Sequence, residues 1–285
     1  MLTIPNERAL DPTTVTVLRS VDSLLRELRI EYFVTGAMAR DILLFGVHGI
    51  RTGRETRDID LAVAIADWTQ FETIKSRLVA SGQFAPAPGS AQRLLFRTHT
   101  QGKGYPLDII PFGDIEHPRD SIAWPPDGTE VLNVAGYREA HASAVEIEVE
   151  PGLVVPVASL PGLTILKFYA WQDRGRANPK DAFDLATVMQ KYADAGNNER
   201  LYGEELALLE VVDYDLAAAS PRLLGKDVSR IATAKTRNDL LAIFSDPNTA
   251  DRFITNVSSA ARGAEDSVDA AETIIEHFKT GLKEG

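Results

Sequence analysis

The chain has 285 residues, with 30 Lys and Arg against 41 Asp and Glu, a formal net charge of −11 and 44% hydrophobic residues. At roughly 100 to 200 residues per domain this supports one large domain or two modest ones with a real core, and it excludes disorder over most of the length. With no cysteine there is no disulfide framework, thiolate metal site or cysteine nucleophile. The acidic balance disfavours a general affinity for nucleic acid or anionic membrane, while leaving room for a local basic site.

Residues 1–12 carry neither a basic n-region nor an apolar h-region. No apolar run approaches the roughly 18 residues that a spanning helix needs, so a cytoplasmic location without membrane attachment is expected. Val17, Val21, Leu24, Leu25 and Leu28 recur at helical spacing, which predicts an amphipathic helix ahead of the β-rich run Tyr32, Phe33, Val34. Gly36 ends that strand in a tight turn, and 37–45 holds helix formers up to Gly46. Residues 47–57, polar and bearing Arg51, Arg54 and Arg57, read as a loop of charges facing water or a ligand.

From Asp58 the pattern alternates, with Ile59, Leu61, Val63 and Ile65 on one face and Asp58, Asp60, Ala62 and Ala64 on the other. Asp67 with Gln70 forms an N-cap pair for a helix marked by Phe71, Ile74 and Leu78. Residues 93–99 and 105–110 flank a glycine-bearing turn at 101–104 and predict a β-hairpin that carries Asp108 on its second arm. A second hairpin is expected over 145–149 and 153–157. Beyond Ser159 the chain becomes helical, with one helix over 163–173 and another from Asn178 and Pro179 to Tyr192. A linker is expected at 195–200, and helix breaks near Ser220–Pro221 and Asp246–Pro247.

Side-chain alternation puts Asp58 and Asp60 on one face of their strand, a pair of like charges that calls for a cation. A hard divalent ion such as Mg²⁺ takes oxygen ligands from one or two carboxylates and completes its shell with water and phosphate. A polar strand face turned to water reads the same way from an isolated Asp-x-Asp. The preceding strand, Gly36 turn and helix favour the metal, because backbone N–H groups at a helix start attract phosphate. Asp108 lies in an apolar strand, where a charge is costly unless it is paired, bound to a metal or turned to water. Lys167 sits in an otherwise apolar helical stretch, either as a snorkelling side chain or as a cation for an anionic ligand. Asp181 and Asp184 share a helix face and could orient Lys167 or Arg174, although an acid in the first turn, as Asp181 is, also complements the helix dipole. The five histidines show no metal-ligand spacing and receive no role.

Thr35-Gly36-Ala37 through Arg40-Asp41, then Arg57-Asp58-Ile59-Asp60, then Asp108 resembles the DNA polymerase β-like nucleotidyltransferase superfamily. Its pattern is a Gly-Gly or Gly-Ser turn, an Asp-x-Asp/Glu strand and a later carboxylate. The turn is also similar to that of CCA-adding enzymes. Lys167 with Lys180-Asp181-Ala-Phe-Asp184 is similar to the AbiEii/AbiGii branch of nucleotidyltransferase toxins. The motifs span residues 30–192, and nothing resembling them follows Gly196.

The resemblance implies an α+β fold in which a mixed β-sheet flanked by helices forms a catalytic domain over 1–158 and a helical domain follows over 159–285. It implies transfer of a nucleoside monophosphate from an NTP to an acceptor hydroxyl, with two Mg²⁺ ions, or Mn²⁺, held by Asp58, Asp60 and Asp108. Gly36, Ala37, Arg40, Thr56 and Lys167 are the expected nucleotide-binding residues. Asp184 joins Lys167 and the three aspartates as catalytic. Ala37 departs from the usual Gly or Ser and offers no hydroxyl to phosphate. The implied acceptor is a tRNA 3′ end, which would require a local basic patch such as Arg222, Lys226, Arg230, Lys235 and Arg237, or a small molecule, which would not. An antitoxin partner is implied by the toxin branch. A catalytically idle nucleotide-binding or interaction module of the same fold is the remaining reading.

Overall fold

A computed structural model of the chain describes residues 1–53, 56–98, 104–260 and 267–285. Arg54 and most of the turn expected at 101–104 lie outside the described residues. The chain divides into two compact units, Met1–Ser159 and Leu160–Gly285.

The first unit runs β1 (Leu2–Thr3), α1 (Pro12–Leu28), β2 (Tyr32–Thr35), α2 (Gly36–Asp41), β3 (Ile59–Ala64), α3 (Trp68–Ala80), β4 (Phe84–Pro86), β5 (Arg93–Phe96) and β6 (Tyr105–Phe112). It continues with β7 (Ser121–Ala123), β8 (Val131–Asn133), α4 (Tyr137–Ala142), β9 (Val145–Glu150) and β10 (Leu153–Val157). Eight strands form one mixed sheet in the order β1-β9-β10-β2-β3-β6-β5-β4, while β7 and β8 pair separately. The sheet is antiparallel at β2–β3 and at β5–β6 but parallel at β3–β6, so the alternating strand that begins at Asp58 lies near its centre.

Local chemistry accounts for most of these elements. Asp11 accepts from the backbone N–H of Thr13 and opens α1, whose apolar stripe of Val17, Leu18, Val21, Leu24 and Leu25 is buried. Asp67 accepts from the Gln70 backbone N–H while the Gln70 side chain accepts from Ala66, the reciprocal N-terminal lock expected for α3. The short α2 does not stop at Gly46. It widens into a π-helical stretch over Ile42–Val47 whose Ile42, Leu43 and Leu44 are buried.

The face of β3 that carries the aspartates is not simply polar. Phe33 and Ala62 are register partners, both fully buried, and Phe33 packs edge-on against Phe112 with ring centroids 5.6 Å apart. The acidic end is therefore a local edge of an apolar layer, and the other face holds Ile59, Leu61 and Val63, also buried.

The second unit consists of α5 (Leu160–Arg174), α6 (Lys180–Lys191), α7 (Asn198–Leu201), α8 (Leu206–Val211), α9 (Leu216–Ile231), α10 (Ala234–Ser245), α11 (Pro247–Ala260) and α12 (Ser267–Glu284). Its core includes Phe168, Trp171, Phe253 and Phe278, all fully buried. The break at Asp246–Pro247 occurs, with Asp246 accepting from the Thr249 backbone N–H to start α11. Two expectations are corrected. Residues 195–200 are not an open linker but a kink at Ala195 and Gly196, where the backbone leaves helical geometry, followed by α7 and closed by Asn197, whose amide donates to the Tyr192 carbonyl at 2.8 Å. Pro221 does not break the chain but lies inside α9, since that helix is held by tertiary packing. A Cβ on Gly225 would meet the Phe278 carbonyl at 2.1 Å, and one on Gly281 the Arg222 carbonyl at 1.9 Å, so α9 and α12 lie backbone against backbone.

Candidate active site

In the first unit the register of four adjacent strands lines up Thr35, Asp60, Asp108 and Arg93. Thr35 opposes Asp60 across β2–β3, Asp60 is level with Asp108 across β3–β6, and Asp108 opposes Arg93 across β6–β5. Residues level with one another on neighbouring strands point to the same face, so two acids and a guanidinium share one row. Asp58 immediately precedes β3, two residues from Asp60, and is half-buried.

Gly36 closes the row at one side. It has φ +68°, and a Cβ built on it would lie 1.9 Å from Asp60 Oδ2. Only glycine permits both that backbone conformation and that approach. Ala37, half-buried, follows it in α2. Thr56 braces the other side: its hydroxyl donates to Asp58 Oδ1 and its backbone N–H donates to Asp41 Oδ2 at 3.2 Å. Arg40 is 2% exposed and donates to Asp41 Oδ1 through Nε at 2.8 Å and Nη2 at 2.6 Å. Arg40, expected to bind nucleotide, is shown instead on the Asp41 carboxylate, which also accepts from Thr56, so the guanidinium steadies the loop that delivers Thr56 and Asp58.

Arg93 was assigned no role from sequence and holds the centre of the site. It grips Asp108 through both oxygens, Nε to Oδ1 at 2.7 Å and Nη2 to Oδ2 at 2.6 Å. The hydrogen bond and charge of Asp108, with added attraction from Asp58 and Asp60, raise the guanidinium pKa further despite partial burial. Arg93 is thus a cation bound to Asp108 that also feels the charges of Asp58 and Asp60. Among the described residues, no group of three or more acidic or histidine side chains is arranged to hold a metal ion. The expected cage of Asp58, Asp60 and Asp108 is thus not gathered among the described residues, and each Asp108 oxygen accepts from Arg93. The donor set nonetheless suits a hard divalent ion: all ligand atoms are oxygens, the acids share a face, and a stand-in cation already occupies the field they create.

The remaining candidates lie in the second unit. Lys167, 8% exposed, donates to Asp184 Oδ2 at 2.6 Å and to Asp181 Oδ1 at 3.0 Å. Arg174 donates to Asp181 through Nε at 2.7 Å and Nη2 at 3.0 Å. Burial works to raise the Asp181 pKa, but the Arg174 hydrogen bonds and the Lys167 and Arg174 charges outweigh it and hold the carboxyl below its ordinary value. Lys167 therefore belongs to a buried ionic cluster with Asp181 and Asp184, not to a solvated face.

Four of the five cations named for a basic patch are paired with carboxylates. Arg222 pairs with Glu284, Lys226 with Glu205 at 2.6 Å, Arg230 with Glu205 and Asp227 at 2.8 Å, and Lys235 with Asp239 at 2.9 Å. Arg237 reaches the Gly285 carbonyl oxygen at 3.3 Å.

A mixed sheet that presents a glycine turn and register-matched carboxylates is the architecture of a nucleotidyltransferase. The sequence profile of the AbiEii nucleotidyl transferase toxin family, type IV toxin–antitoxin system, matches residues 27–256, and the chain belongs to that family. None of the curated proteins matches it. Among solved structures it is similar to the antibiotic-resistance factor ANT(2'')-Ia, at 17% identity, 72% of this chain, 100% of that chain and a TM-score of 0.39. It is also similar to an antigenic nucleotidyltransferase-like protein from Paracoccidioides brasiliensis, at 13% identity, 72% of this chain, 91% of that chain and a TM-score of 0.42. The Thermotoga maritima CCA-adding enzyme complexed with tRNA shares 12% identity over 98% of this chain and 82% of its own, with a TM-score of 0.26. No described helix is long and apolar enough to cross a membrane.

Proposed function

We propose that the protein is a cytoplasmic, divalent-metal-dependent nucleotidyltransferase that moves a nucleoside monophosphate from an NTP to an acceptor hydroxyl, as the toxin component of a toxin–antitoxin pair. The observation that carries the reading is the row Asp60–Asp108 beside Gly36, whose missing side chain lets the turn approach the Asp60 carboxylate. The hydroxyl oxygen forms a bond to the α-phosphorus, the bond to the β-phosphate oxygen breaks, and the hydroxyl proton leaves with pyrophosphate as the other product.

Each residue has a definable task. Asp58, Asp60 and Asp108 would hold the metal. When bound, such an ion neutralises the phosphates and lowers the cost of charge building on the attacking and leaving oxygens. Thr56 fixes the Asp58 carboxylate through its hydroxyl, and Arg40 fixes Thr56 through Asp41. Gly36 and Ala37 open a helical stretch whose first backbone N–H groups suit phosphate oxygens. Lys167 and Asp184 are carried by the resemblance as a second group required for the activity, with Asp184 and Asp181 accepting from the ammonium and Arg174 fixing Asp181.

For the acceptor, the toxin branch favours a tRNA 3′ end. A small hydroxyl compound is the second reading, favoured by the pairing of Arg222, Lys226, Arg230 and Lys235 with carboxylates. Incubation with each α-labelled NTP, Mg²⁺ or Mn²⁺, and either total tRNA or candidate small hydroxyl compounds tests both. Label is expected on one acceptor class with wild type and on none with Asp60→Ala. Undiminished labelling by Asp60→Ala overturns the proposed site, and no labelling of any acceptor by wild type supports the idle-module reading.

A further inference from the structure

The cations Arg222, Lys226, Arg230 and Lys235 each face a carboxylate, which cancels most of their field at short range. The loop between α5 and α6 is different. Residues 174–180 contain Arg174, Arg176 and Lys180 and no acid, in a chain of net charge −11, and all three cations are exposed. Among the described residues neither Arg176 nor Lys180 has a carboxylate within 4.0 Å. The flanking acids are Asp173, which is exposed, and Asp181, which is buried and accepts from Lys167 and Arg174.

The loop is also compact. The backbone N–H groups of Ala177 and Asn178 both donate to the Arg174 carbonyl at 3.0 Å, and the Asn178 side chain accepts from the Lys180 N–H at 3.2 Å. A Cβ on Gly175 would come within 2.4 Å of the Trp171 carbonyl oxygen, so the loop leaves α5 by a fixed path. Arg174 is gripped by Asp181 at 2.7 and 3.0 Å while its side chain stays 61% exposed. The backbone beneath the three cations is therefore ordered before any ligand arrives, which lowers the cost of binding one.

We infer that the α5–α6 loop is a docking surface for the phosphate backbone of a single-stranded RNA end, with Arg176 and Lys180 each contacting a phosphate. The inference rests on the nucleotidyltransferase reading and names the acceptor class for it. Charge complementarity favours this occupant: a strand offers a series of phosphates to cations spread along a loop, and weak contacts add, whereas a small hydroxyl compound offers no such series.

A fluorescein-labelled single-stranded RNA of about 12 nucleotides is titrated with the full chain, in EDTA and without NTP, at about 50 to 200 mM KCl, and followed by fluorescence anisotropy. On single strands each phosphate contact contributes about 0.7 to the slope of log K against log salt. Loss of two contacts flattens the slope by about 1.4, which at about 0.1 M salt is about 25-fold in affinity. That change is expected for Arg176→Gln with Lys180→Gln. Lys235→Gln with Lys279→Gln removes the same charge from positions paired with Asp239 and Glu276, and is expected to bind as wild type does. Asp60→Ala is expected to keep the wild-type slope, which separates docking from transfer. An unchanged slope in the loop variant overturns the inference. So does an equal loss in the Lys235 and Lys279 variant, since net charge then accounts for the effect, or in Asp60→Ala, since the strand then docks elsewhere. No binding by wild type at about 50 mM salt overturns it too, and leaves the transferase reading standing on any labelling of small hydroxyl compounds. Thermal melts accompany each titration, and should the loop variant melt early, Arg176→Gln alone is read for a slope change of about 0.7.

Discussion

Gly36 is the position at which the geometry makes its most demanding claim. Replacing it with alanine adds one carbon, in a backbone conformation of φ +68° and at 1.9 Å from Asp60 Oδ2 and 2.7 Å from Asp60 Cγ. The left-handed conformation costs an L-residue about 1–2 kcal/mol, and turning the Asp60 side chain away from its well costs about 1 kcal/mol more. The sum, about 2–3 kcal/mol, corresponds to a melting temperature lowered by about 4–12 °C for a unit of this size. Turnover should be lost as well, because Asp60 no longer points where Asp108 does. The two contributions separate in a double variant. Gly36→Ala with Asp60→Ala removes Oδ2 and Cγ, leaving Cβ at 3.0 Å as the nearest atom, so stability should recover by about 1 kcal/mol while activity stays absent. Calorimetric melts of the four proteins give the coupling directly. Strict additivity, or a Gly36→Ala protein that melts and turns over as wild type does, refutes the contact between the turn and the carboxylate and the active-site geometry built on it.

Two further expectations concern the second unit. Lys167→Met removes the ammonium shared by Asp181 and Asp184, which are 1% and 4% exposed, and should destabilise the protein by about 3–5 kcal/mol, read as a lower urea midpoint. Adding Asp184→Asn should restore part of that loss, and a deeper loss would show that the pair is not the source of the instability. Acid should also loosen this unit. Asp181, Asp227 and Glu205 have folded-state values held below their ordinary 3.8, 3.8 and 4.5 by cationic partners that outweigh burial. A carboxyl depressed by folding contributes its stability above the unfolded value and loses it as pH falls through the folded one. Urea midpoints that hold from pH 7 to about 5 and fall below about 4 are expected, and a flat profile down to pH 3 would contradict the ion-pair networks.

The fold was legible where local rules and burial agree. The alternation around Asp58 and Asp60 identified a strand, and the Asp67–Gln70 reciprocity identified the start of α3. The hairpin arms before and after Gly104 identified β5 and β6, since period and capping are written in neighbouring residues. The same rules place an interruption after Ala195, and the backbone does leave helical geometry at Ala195 and Gly196, though as a short kink and not an open linker. They misplace a break at Pro221, because a proline signals one only when nothing else holds the chain, and there α9 packs backbone to backbone with α12 through Gly225 and Gly281. The candidate site shows the same division. Asp58, Asp60, Asp108 and Gly36 could be marked from residue type and spacing, whereas Arg93 could not, because its role depends on one register. A turn confined to 101–104 would set Arg97 opposite Asp108, but the observed register pairs Phe96 with Tyr105, four residues earlier on the first arm, and sets Arg93 there instead.

Residue type and local spacing settle which side chains carry charge, which stretches alternate or coil, and which glycine has to bend, since these depend on neighbours a few residues apart. Who pairs with whom comes from the folded chain: Arg93 with Asp108, Lys167 with two buried acids, and Arg222, Lys226, Arg230 and Lys235 with carboxylates. An ion pair forms wherever folding brings two desolvated charges within about 3 Å, and that distance is set by strand register and helix packing, to which separation along the chain gives no guide.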